Sequence, residues 1–141
     1  MADEKFDAIV VGAGPAGTSA ALTMAKAGLN VVLLERGDYA GAKNVQGAVM
    51  YTKMLDEIVP DFWKDPQAPV ERSITEQKIW VLSKDSMLQV GFKSEKWLKD
   101  PPNCFTVIRA NFDRWYAKQA EAAGVQLFTG VTVSEGLKKN G

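Results

Sequence analysis

Residues 6–36 read FDAIVVGAGPAGTSAALTMAKAGLNVVLLER. Ala8 to Val11 is a continuous apolar run, the pattern of a parallel strand buried on both faces. Gly12, Gly14 and Gly17 come next, in GxGxxG spacing. Gly12 permits a tight turn, Gly14 lets the backbone approach a pyrophosphate, and Gly17 lets a helix pack closely on the strand. Pro15 suits the first helical position, where its missing N–H is harmless. The helix runs to about Ala27 and Gly28 ends it. Asn30 to Leu34 is a second strand. An anion is favoured where this helix begins, because free N–H groups and the helix dipole point there.

Glu35 closes the second strand, at about the 20-residue remove where a carboxylate bonds a ribose hydroxyl. It would repel a 2′-phosphate, which disfavours NADP. FAD and NAD share the fingerprint. The residues after Glu35 favour FAD: Arg36 leads into a Gly/Asn-rich loop, Gly41-Ala42-Lys43-Asn44-Val45-Gln46-Gly47, and not directly into another helix and parallel strand.

Seventeen basic residues balance seventeen acidic ones in 141. Such a chain has no bulk charge with which to recognise nucleic acid or an anionic membrane. Lys93, Lys96 and Lys99 are the one candidate basic patch, and Glu95 and Asp100 interrupt it. Histidine is absent and Cys104 is the only cysteine. Within these 141 residues that excludes a Ser-His-Asp triad, a Cys-His pair, His-ligated zinc and an iron–sulfur cluster, which needs about four thiolates. No catalytic side chain and no metal ligand is assigned. The start, MADEKFDAIVV, is not a signal peptide, and no run approaches the ~18 apolar residues of a membrane span.

Further on, Met50, Met54, Leu55 and Ile58 give a helical spacing over Val49–Val59, ended by Pro60. Asp61–Pro69 reads as irregular. Ile74–Ser83 and Met87–Lys93 alternate as a hairpin around Lys84-Asp85. Phe105–Ile108 is a strand. Asn111 is placed to cap a helix whose apolar face carries Phe112, Trp115, Tyr116 and Ala120, and Gly124 ends it. Val125–Phe128 and Val131–Leu137 read as strands. Asn140-Gly141 is a favoured hairpin turn with no strand after it. The expectation is the N-terminal piece of a longer protein; a frayed tail is the alternative. The four tryptophans, Met50 and Met54 are expected to be packing residues, and Cys104 buried and inert.

The 7–37 segment, DAIVVGAGPAGTSAALTMAKAGLNVVLLERG, closely resembles the amino end of glutathione-reductase-like flavoproteins of the hydroxylase and geranylgeranyl-reductase type. The continuation, GDYAGAKNVQGAVMYTKMLDEIVPDF, resembles the FixC branch, related to electron transfer flavoprotein–quinone oxidoreductase. So does VIRANFDRWYAKQAEAAGVQLFTGVTV at 107–133. The resemblance implies an α/β, Rossmann-like FAD-binding domain: a βαβ unit at 6–36, an insertion with a β-hairpin at about 37–104, and a strand–helix–strand segment at 105–137. It implies that Gly12, Gly14, Ala16 and Gly17 contact the FAD pyrophosphate. Glu35 would hold the adenosine ribose, with Arg36 over the adenine side. Asn44, Val45 and Gly47 would approach the flavin end. Arg109 would reach the phosphate or ribitol region, a salt bridge to Asp113 being the plainer reading. Val133 would contact adenine through its backbone, or be a core strand position.

The resemblance further implies an oxidoreductase that takes electrons from an electron transfer flavoprotein and passes them through FAD toward quinone. A ferredoxin-like subunit is the expected partner, with a second flavin motif and a domain for quinone or lipid lying beyond residue 141. A cytoplasmic location is expected, with peripheral association of the longer protein at the membrane face as an open option. The alternatives are a reductase of isoprenoid double bonds, a flavin monooxygenase and a non-catalytic nucleotide-binding fragment. Relatives of the isoprenoid-reductase type carry a cysteine in the loop facing the flavin, where this chain has Asn44-Val45-Gln46-Gly47.

Overall fold

The computed structural model describes residues 4–137. The Asn140-Gly141 turn lies outside the described residues.

Three parallel strands form the first sheet: β1 (Ala8–Val11), β2 (Val31–Leu34) and β8 (Gln126–Phe128), in the order β1-β2-β8. Helix α1 (Pro15–Lys26) links β1 to β2 and packs against α3 (Arg109–Ala122). Close helix–strand contact depends on Gly17, where an added Cβ would stand 1.9 Å from the carbonyl oxygen of Gly12. All three strands point their carboxyl ends the same way, so Gly12 and Glu35 emerge at one edge of the sheet, where open α/β sheets hold their ligands.

A second sheet is antiparallel. Strand β7 (Cys104–Ile108) runs between β3 (Gly47–Tyr51) and β4 (Val70–Ser73). A third, two-stranded sheet is the hairpin of β5 (Glu76–Leu82) and β6 (Met87–Lys93). Short helix α2 (Thr52–Asp56) and a 3-10 turn at Phe62–Lys64 follow β3 and bury Leu55 and Phe62. One apolar core joins the two three-stranded sheets and the helices, with Leu22, Leu33, Phe62, Phe105, Phe112 and Tyr116 at its centre, and the hairpin adds nothing to it. Burying side chains of this size contributes about 1.5–3 kcal/mol each.

Several expectations are corrected. The predicted helix over Val49–Val59 is β3 followed by α2. Met50 pairs with Phe105 across the antiparallel sheet, and this ladder overrides a weak helical spacing. Met54 is exposed, not a packing residue. Val70–Ser73, unread in the sequence, is a strand. Asn111 does not cap α3; the helix starts at Arg109, whose N–H donates to the Gln46 carbonyl. Residues 131–137 carry no strand. The backbone N–H groups of Gly130 and Val131 donate to the loop after β2, at the carbonyls of Gly37 and Glu35. Strand β1 is not buried on both faces: Ile9 and Val11, which share one face of the strand, are exposed, because no element among the described residues covers that face of β1. The strand–helix–strand segment also spans two sheets, β7 belonging to the antiparallel one and β8 to the parallel one.

The hairpin forms as read, but it is not covered. Ile79, Val81, Leu88, Val90 and Phe92 share one face and Trp80, Leu82 and Met87 the other, all of them exposed. Trp80 is therefore no packing residue, whereas Trp115 is buried and Trp97 packs on Phe92. No helix among the described residues is long and apolar enough to cross a membrane.

Candidate nucleotide-binding site

The turn between β1 and α1 is a cradle of unused donors. Gly12 takes φ +95° and donates its N–H to the Leu34 carbonyl at 2.7 Å, tying the turn to β2. Gly14 is the N-cap of α1, and no side chain caps the helix. The first intrahelical bond runs from Thr18 to the Gly14 carbonyl. The N–H groups of Gly14, Ala16 and Gly17 therefore have no partner among the described residues. No acidic residue stands in the first turn. An anion is the group that would satisfy these donors.

Gly14 has an ordinary φ of −77°, and a Cβ built on it would meet nothing within 4 Å. Neither strain nor internal packing requires a glycine there. Open space above it does fit a pyrophosphate resting on the backbone. Gly17 is different, being required by packing alone.

Glu35 is fixed in place. Its Oε2 accepts from the Ala13 N–H at 2.8 Å and its Oε1 from the Gly37 N–H at 2.7 Å. A carboxylate has about four acceptor positions, so each oxygen keeps one for a ribose hydroxyl. A cavity of about 280 Å³ opens beside it, lined by Gly12, Glu35, Arg36, Thr132 and Val133. The chain thus brings together four of the predicted residues, from three separate segments.

A second cavity, of about 440 Å³, lies between α1, α2, β3 and α3. Pro15 and Arg109 both line it, so it joins the start of α1 to the start of α3. It is otherwise mostly apolar, with Met50, Leu55 and Phe112 in its wall. On its floor Ser19 and Tyr116 share a hydrogen bond of 2.8 Å. Burial pushes the Tyr116 phenol up from its ordinary pKa, and the bond with Ser19 opposes this.

Arg109 forms the salt bridge with Asp113: Nε to Oδ1 and Nη2 to Oδ2, both 2.9 Å. It is not a loose surface pair, because Asp113 is 1% exposed. The hydrogen bond to Asp113 raises the Arg109 pKa above its ordinary value. Asn44 also donates to Asp113, at 2.7 Å. Gly47 starts β3 opposite Ile108, and Val45 is fully exposed. Sequence reading missed Asp113 as more than a salt-bridge partner, although its place four residues after Arg109 was the available signal. It also missed the two backbone donors to Glu35. Cys104 is buried as expected, in β7 and away from the Asn44 loop. Among the described residues no cluster of His, Cys, Asp or Glu could hold a metal.

Residues 7–141 match the model of the FAD dependent oxidoreductase family. The chain belongs to this family. FAD is accordingly the nucleotide for which the unpartnered α1 donors, the open space at Gly14 and the fixed Glu35 are suited. Protein FixC of Azorhizobium caulinodans is 50% identical over 135 residues, covering 96% of this chain and 31% of that protein. The probable electron transfer flavoprotein-quinone oxidoreductase YdiS of Escherichia coli is 47% identical over 147 residues, covering 100% of this chain and 33% of that protein. Among solved structures, a geranylgeranyl bacteriochlorophyll reductase-like protein of Thermoplasma acidophilum superposes with a TM-score of 0.77 at 25% identity, over 98% of this chain and 33% of that one. This FAD dependent oxidoreductase chain spans about a third of the length of the relatives it matches.

Proposed function

We propose that this chain supplies the ADP-binding half of the FAD site in a FixC-like oxidoreductase that passes electrons from an electron transfer flavoprotein through the flavin toward quinone. The observation that carries the reading is the conjunction at the sheet edge: unpartnered N–H groups at the start of α1, beside a carboxylate held by the Ala13 and Gly37 backbone. FAD supplies the redox chemistry, and the protein supplies binding, orientation and electrostatics. Gly12, Gly14, Ala16 and Gly17 hold the pyrophosphate. Glu35 takes the ribose, while Arg36 and Val133 flank the adenine. Arg109 reaches the phosphate or ribitol, and Asn44, Val45 and Gly47 lie toward the flavin end.

The name of the 47% identical Escherichia coli relative, a probable electron transfer flavoprotein-quinone oxidoreductase, supports the electron-transfer assignment. A ferredoxin-like subunit is the proposed partner, on the resemblance of the 37–62 and 107–133 segments to the FixC branch. The β5–β6 hairpin, apolar on both faces, supports a peripheral place for the longer protein at the cytoplasmic membrane face, near a lipid-soluble quinone. The test is reduction of the full-length holoprotein by reduced electron transfer flavoprotein, followed by reoxidation with a soluble quinone analogue. Bleaching and return of the flavin absorption band are expected. A flavin that the donor leaves oxidised would overturn the electron-transfer assignment.

A reductase of isoprenoid double bonds is the second reading, favoured by the superposition on the Thermoplasma protein. The Asn44–Gly47 loop lacks a cysteine, which counts against it. Turnover of a geranylgeranyl substrate, with no response to electron transfer flavoprotein, would reverse the order.

A further inference from the structure

We propose that Asp113 is a positioning residue for FAD, one buried carboxylate that holds Arg109 and the Asn44 loop in register with each other. The proposal rests on the reading of the chain as half of an FAD site. Asp113 sits in the first turns of α3 and is 1% exposed. Its two oxygens take three hydrogen bonds: two from Arg109 at 2.9 Å and one from Asn44 at 2.7 Å. A buried carboxylate is costly unless paired in this way. The loop is also pressed onto the same turn. Gly41 adopts φ +87°, and a Cβ there would come within 2.9 Å of Asp113 Cβ. The Arg109 N–H bonds the Gln46 carbonyl at 3.2 Å. Loop and helix start are thus one unit with Asp113 at its hub.

A guanidinium has five N–H donors. Two go to Asp113, and the other three have no protein partner among the described residues. Arg109 lines the cavity that begins at Pro15. Asp113 therefore neutralises the charge of Arg109 while fixing the direction of its free donors. Arg109 acts on the cofactor by aim more than by net charge.

That distinction has a sign. If net charge governed binding, removing the Asp113 carboxylate would leave a bare cation near the pyrophosphate and tighten FAD binding. If position governs, removal weakens it. The experiment is FAD titration of the full-length apoprotein with Asp113→Asn, Arg109→Ala and the double variant, each shown folded by circular dichroism. Asp113→Asn is expected to bind FAD about tenfold more weakly, the scale of one charge-assisted hydrogen bond. In the Arg109→Ala background it should cost little more, because the group it positions is gone. Asn44→Ala, which leaves the Arg109 pair intact, should give a smaller loss and serves if Asp113→Asn does not fold. Unchanged or tighter binding in Asp113→Asn, or losses that simply add, would overturn the proposal. So would a lowered melting temperature with wild-type affinity, the mark of a purely structural residue. Glu35→Ala is the control: if it keeps wild-type affinity the FAD reading itself fails, whereas loss there with none at Asp113 defeats this inference alone.

Discussion

The Ala13 backbone N–H donates to Glu35 Oε2 at 2.8 Å, joining the Gly-rich turn to the end of β2. The pyrophosphate and the ribose of an ADP moiety would be read by groups that already hold each other. A ribose-binding carboxylate left free to rotate would lose side-chain entropy on binding; this one is ordered beforehand.

Glu35→Ala is therefore expected to weaken FAD binding about tenfold to a hundredfold, the ~1.5–3 kcal/mol range of a hydrogen bond to a charged group. Quenching of flavin fluorescence on titration measures it. An affinity equal to wild type would remove Glu35 from the site.

Gly17→Ala is expected to damage the fold first. Its Cβ would stand 1.9 Å from the Gly12 oxygen, a backbone atom that cannot swing away. Overpacking of this kind costs about 1–3 kcal/mol or more. Thermal unfolding of the apoprotein should show a clearly lowered melting temperature.

Tyr116 gives a pH signature. Burial raises its pKa in the folded chain above the unfolded value of about 10. The resulting stabilisation is fully present below that unfolded value. It is lost as pH rises through the folded pKa, because the unfolded chain releases the proton first. Stability should fall on the alkaline side, and Tyr116→Phe should flatten part of that fall. Urea midpoints measured from neutral pH to above pH 10 test this; parallel curves for the two proteins would contradict it.

The hairpin should separate stability from association. Leu88 and Val90 are each 62% exposed, so Leu88→Lys and Val90→Lys are expected to change stability by no more than about 0.5 kcal/mol. Binding of the full-length protein to lipid vesicles should drop in the same variants. Vesicle binding equal to wild type would assign the apolar faces to a protein contact.

The parallel unit was legible because its signals are local. Gly12 and Gly14 sit between a Val-rich strand and a Pro15-started helix, and Gly17 lies in the first turn of that helix against the Gly12 carbonyl. The hairpin was legible for the same reason. What escaped was set by pairing between distant segments. Met50 looked helical until Phe105 paired with it. Val70–Ser73 has too little alternation to be read as a strand, and forms one only beside β7. Asn111 lost the cap of α3 because the Gln46 carbonyl, far off in sequence, took the Arg109 N–H. The burial of Asp113, which turns an ordinary i,i+4 pair into a hub, depends on Gly41 being folded against it.

The proposed FAD site makes Gly14 a glycine for the ligand and not for the fold. FAD titration of Gly14→Val, with its melting temperature measured alongside, tests it most directly. Wild-type backbone angles suit valine there and its Cβ meets open space, so the melting temperature should stay near wild type, within the ~1 kcal/mol of an N-cap change. FAD uptake should be lost. A folded Gly14→Val protein that binds FAD as tightly as wild type would remove the pyrophosphate from the start of α1.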